Sequence, residues 1–83
     1  MKIQLMKVGE RLSLEMDPDG FEAVKSFIKR TYADLIVEIG GSYGRVRFAG
    51  SEFLHENEWD APYLLSQSAD GDDLLKGIAE QLN

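Results

Sequence analysis

The chain has 83 residues, 43% of them apolar and 29% charged, with no cysteine and a net charge of −6. That size fits one folded domain, 1–83, and leaves no room for a second. The absent thiols exclude disulfides, thiolate nucleophiles and cysteine-type zinc sites.

Chain order gives the following elements. Ile3 and Leu5, then Leu12, Leu14 and Met16, alternate with polar neighbours, the period of half-buried strands. Gly9 between them suits a tight turn, so a hairpin is predicted over 2–8 and 11–16. Asp17 and Pro18 form a helix start, and Phe21, Val24 and Ile28 follow at helical spacing. Lys29 and Arg30 fall where the helix dipole favours cations, which predicts a helix over 18–31.

Alternation returns over 34–39 and 44–49, two strands joined by the glycine-rich GGSYG. Residues 50–61 read as irregular or weakly helical. PYLLSQS, 62–68, reads as a further strand that Pro62 begins. Asp70 or Asp72 then caps a helix carrying Leu74, Leu75, Ile78 and Leu82. The expectation is an α+β domain in the order ββαββ(β)α, an antiparallel sheet with two helices packed on one face.

Charge is uneven along this chain. Residues 1–48 hold seven acids and eight bases, whereas 49–83 hold eight acids and one base, Lys76. The acidic part includes SEFLHENEWDAP, 51–62, with the single His and the single Trp. Glu52 and His55 form E-x-x-H, which on a helix would share a face, but di-iron sites need two such pairs. Neither DPDG nor DGDD continues as a calcium loop, because Phe21 and Leu74 occupy loop position 5, where an oxygen ligand is needed. No G-x-S-x-G elbow accompanies Ser51 and His55. The chain is therefore read as non-enzymatic, with no catalytic residues, no metal site and no cofactor, and a carboxylate-rich metal or enzyme site is the third alternative after two binding readings.

Two binding readings follow. In the first, an acidic surface engages a basic protein partner. It is built from Glu52, Glu56, Glu58 and Asp60 with Asp70, Asp72 and Asp73, and Trp59 and Tyr63 give apolar contact. Phage- and mobile-element-encoded inhibitors of defence nucleases offer an analogy, as acidic domains that fill a nucleic-acid groove. In the second, GSYGRVRF partly matches an RNA-binding strand motif, and Tyr43, Arg45 and Arg47 form a nucleic-acid patch. A charge of −6 repels a polyanion, which sets nucleic acid second. The N-terminus lacks an apolar leader and no stretch reaches 18 apolar residues, so no membrane partner is expected and a cytoplasmic location is.

Overall fold

A computed structural model describes residues 1–38, 43–56 and 61–83 in full, and the backbone alone at 39–40 and 57–58. Strands β1 (Ile3–Val8) and β2 (Arg11–Met16) form the first hairpin, and helix α1 (Pro18–Thr31) follows. Four strands come next: β3 (Ile36–Gly40), β4 (Tyr43–Phe48), β5 (Ser51–Glu58) and β6 (Ala61–Ser66). Helix α2 (Ala69–Leu82) closes the chain. All six strands pair antiparallel in one open sheet of order β1-β2-β6-β5-β4-β3. The α+β class and helix placement match the expectation from the sequence.

The turns explain the short connections. Val8 pairs with Arg11 across a two-residue loop, and Gly9 there has φ 61°. Phe48 pairs with Ser51 across Ala49-Gly50, where both residues have positive φ, 52° and 74°. Two left-handed residues match the twist of a hairpin, but Ala49 carries a Cβ that disfavours that region. The Asp34 carboxylate compensates: it accepts the Ala49 N–H at 3.0 Å and the Gly50 N–H at 3.3 Å.

Helix α1 starts as its sequence requires. The Asp17 carboxylate accepts the Gly20 N–H at 2.7 Å and the Lys2 N–H at 2.9 Å, so one side chain ties the helix start to β1. Helix α2 starts earlier than expected. Its cap is Ser68, whose hydroxyl accepts the Gly71 N–H at 3.0 Å, and not Asp70 or Asp72. Serine is as good a cap as aspartate, and the acids then fall in the first turn where the dipole favours them.

One segment departs from the sequence reading. Residues 51–58, expected to be irregular, form the eight-residue strand β5 between β4 and β6. Its inward positions are Ser51, Phe53 and His55, all buried, so two polar residues stand where an apolar alternation would have marked a strand.

The core lies between sheet and helices. Leu14 of β2, Leu64 of β6, Phe53 of β5 and Phe48 of β4 meet Val24 and Ile28 of α1 and Leu75 and Ile78 of α2. Phe48 and Phe53 stack with centroids 4.7 Å apart, and Tyr32 lies 5.0 Å from Phe48. The helices cover β1, β2, β6 and β5. No helix among the described residues is long and apolar enough to cross a membrane.

Candidate functional site

With both helices on one side, the other face of the sheet is bare. Register fixes what stands on it. One row crosses all six strands as Met6, Ser13, Leu65, Leu54, Arg45 and Glu38. A parallel row runs Gln4, Glu15, Tyr63, Glu56 and Tyr43. Val8, Glu52, Arg47 and Ile36 extend the face toward the β4–β5 turn, while Arg11 at the end of β2 turns its guanidinium to Asp72 of α2. Among the described residues the exposed large apolar side chains are Met1, Met6, Val8, Ile36, Val37 and Tyr43. All but Met1 and Val37 belong to this face. Leu54 and Leu65 at its centre are half-buried, and Ser13 between Met6 and Leu65 is closed over.

Polar pairing on the face is local. The Tyr63 hydroxyl donates to the Glu56 carboxylate across β5 and β6. Arg45 Nε lies 3.7 Å from the Glu52 carboxylate, with both side chains well exposed. Such a surface pair contributes little to stability, roughly 0–1 kcal/mol, and leaves both groups ready to exchange partners.

The acidic residues expected to form one surface are divided. Glu52 and Glu56 are on the open face. Asp72 is at the start of α2 on the helix side, where it accepts the Leu12 N–H at 2.9 Å and meets Arg11 Nη1 at 3.4 Å. Ser13, next to Leu12, shares a row with Leu65 and Leu54. Glu58 is four residues further along β5 than Leu54, about 13 Å at strand rise. Asp73 is close to Lys76, at 3.8 Å, and Asp70 is exposed in the same helical turn. Trp59, Asp60 and the Glu58 side chain lie outside the described residues, as does the tip of the GGSYG connection.

The candidate nucleic-acid patch is partly brought together. Tyr43, Arg45 and Arg47 stand on one face of β4, with Tyr43 half-exposed. Glu38, Glu52 and Glu56 flank them in the neighbouring strands. Lys29, Arg30 and Tyr32 belong to the other side, where Tyr32 packs on Phe48.

His55 is buried, not at the surface. It stacks on Phe21 of α1 with centroids 4.9 Å apart and planes 3° from parallel. Its Nδ1 lies 3.1 Å from the Tyr63 carbonyl, and a carbonyl only accepts, so Nδ1 carries a proton. Because β5 is a strand, Glu52 and His55 point to opposite faces and E-x-x-H brings no ligands together. Among the described residues no three His, Asp or Glu side chains gather as metal ligands.

Three carboxyls are held below their ordinary value near 3.8. The Gly20 and Lys2 N–H groups do this for Asp17, and the Ala49 N–H, against some desolvation, for Asp34. At Asp72 desolvation pushes upward, and the Leu12 N–H, the Ser66 hydroxyl and Arg11 together outweigh it. A depressed carboxyl stabilises the fold above its unfolded value and loses that contribution as pH falls through its folded value. Thermal melts should therefore hold between pH 7 and pH 5 as far as these groups matter, and fall below about pH 4. In the Asp17→Asn, Asp34→Asn, Asp72→Asn triple variant the drop between pH 6 and pH 3 should shrink. An unchanged drop would show that these three carboxylates do not carry the acid sensitivity.

Comparison with protein-family models, with curated proteins and with solved structures returns no match.

Proposed function

We propose that this chain is a non-catalytic binding module that docks on a basic protein through the open face of its sheet. The observation that carries this is the concentration of exposed apolar side chains there: Met6, Val8, Ile36 and Tyr43 stand around half-buried Leu54 and Leu65. The apolar side chains run from the half-buried centre to both edge strands with Glu15, Arg45, Arg47, Glu52 and Glu56 between them, the mixed composition of a protein interface. Net charge of −6 sets the sign of the partner. Glu15, Glu38, Glu52 and Glu56 supply acid on the face itself. The separate acids at the start of α2 act at longer range, by steering a basic partner during encounter. Occlusion of a basic nucleic-acid groove in another protein is one form that such binding takes. A cysteine-free chain suits a reducing compartment, and a cytoplasmic location belongs to this proposal.

A second reading has one observation in its favour: Tyr43, Arg45 and Arg47 share the open face, where bases could stack and phosphates pair. One experiment separates the two. Glu15→Lys with Glu52→Lys, on the sheet face, is compared with Glu22→Lys and Glu80→Lys, on the helix side, so both variants change net charge equally. The first reading expects a salt-sensitive protein captured from lysate by the wild type and the helix variant. It also expects the sheet variant to weaken that capture about tenfold, which corresponds to 1.4 kcal/mol. The second expects nucleic acid in the capture, increased by the sheet variant. Equal loss with both variants would assign the binding to net charge and overturn the first reading.

A further inference from the structure

An open sheet has two edges, and here they differ. β1 is defended: Lys2 and Lys7 lie at its ends, α2 packs against it, and the Asn83 side chain donates to the Ile3 carbonyl at 3.0 Å. Lysines and coverage are what proteins use to keep edges from pairing. β3, at the other edge, has neither lysine nor proline in its sequence IVEIG. Ile36 and Val37 point to opposite faces and each is 51% exposed. An edge with an exposed apolar side chain on each face, Glu38 its one charge, and one row of backbone groups unpaired in the sheet can receive a strand.

We propose that the strand is β3 of a second copy, paired antiparallel about a two-fold axis at Val37. The register follows from charge and from where the strand begins. A two-fold axis normal to the sheet keeps both helix layers on one side, so it must pass between two copies of the same residue. Centred on Ile36, it runs Glu38 against the turn that holds Asp34, which offers no strand to pair. Centred on Glu38, it sets that carboxylate against itself. Like charges directly opposite are destabilising, and a turn cannot continue a ladder, so both are disfavoured. Centred on Val37, it sets Val37 against Val37 and Glu38 opposite the second copy's Ile36. Arg45 flanks Glu38 on one side, and the second copy's Arg47, next to that Ile36, lies beyond.

The acids nearest the start of α2 are not at the junction: Asp72 reaches Leu12 of β2 and Gly71 lies against Ser66 of β6 and Phe53 of β5. The strand beside the junction, β4, carries Arg45 and Arg47 instead. The dimer also continues the open face from one copy into the next, on one side of a doubled sheet.

Sedimentation of the full chain across a concentration series, up to about 1 mM, tests this. The expected result is a concentration-dependent shift to the mass of two chains. Val37→Lys should return the protein to a monomer whose thermal melt equals that of the wild type at dilute, monomeric concentration, because the side chain is half in solvent. As a second measurement that needs no loss of binding, Val37→Cys supplies the only thiol of the chain. In this register the two Cα atoms are about 4.5–5.5 Å apart, inside the span of a disulfide, so oxidation should join two chains. Met6→Cys, on the other edge, should stay unlinked. A wild type monomeric at every concentration, a dimer that survives Val37→Lys, or equal linking by both cysteine variants would overturn the proposal.

Discussion

Phe53→Ala should cost about 3–5 kcal/mol, a large share of what holds the fold together. Phe53 is fully buried in the strand that joins the two halves of the sheet. Its ring stacks on Phe48 of β4, and it reaches α2 beside Gly71, where an added Cβ would stand 3.3 Å from Phe53 Cε2. Truncation removes aromatic burial and leaves a cavity that three elements cannot close together. A chain of this length has roughly 4–12 kcal/mol of stability in total, so the loss is a large share of it. Urea unfolding measures it, with Phe53→Leu as a milder companion that retains most of the volume. A loss under about 1 kcal/mol for Phe53→Ala would mean that Phe53 does not pack between β4 and α2.

Two glycine substitutions should move stability in opposite directions. In helices Ala is better than Gly by about 1 kcal/mol, so Gly77→Ala, with open space around its added Cβ, should stabilise by up to that amount. Gly20 is helical too, but a Cβ there would collide with the Lys2 carbonyl oxygen and stand 3.0 Å from both Asp17 Oδ1 and Ile3 Cγ1. The carbonyl belongs to backbone that the Asp17 carboxylate and the Asp17 N–H fix in place. The helix start must then back away from β1 or break its cap, and Gly20→Ala should cost about 1–3 kcal/mol despite the gain in helix propensity. Denaturant midpoints of the two variants check the pair. Stabilisation by both would show that α1 does not approach β1 this closely.

Much of the fold was legible because local signals agreed with it. Gly9 marked the first turn, Asp17-Pro18 marked the start of α1, and the alternation through Arg45, Val46, Arg47 and Phe48 marked β4 and its two faces. β5 was hidden for a physical reason. Its inward face carries Ser51 and His55 and its outward face Leu54, so the period-two pattern is reversed at three positions. The turn before it hides as well, since Ala49 gives no sign of a left-handed conformation that the distant Asp34 supports. The site was legible only within a strand. That Tyr43, Arg45 and Arg47 share a face follows from spacing. That Glu52 and Asp72 belong to opposite sides follows from strand order and from where α2 docks, neither of which a local pattern carries.

The proposal that the bare sheet face is the binding surface is tested most directly by crosslinking from that face. A photoreactive amino acid replaces Tyr43 in one variant and Glu22, exposed on α1, in another. Each is irradiated with lysate at low salt. The expected result is one protein adduct from position 43, lost at high salt, and none from position 22. The same adduct from position 22 alone would place the interface on the helices and contradict the account.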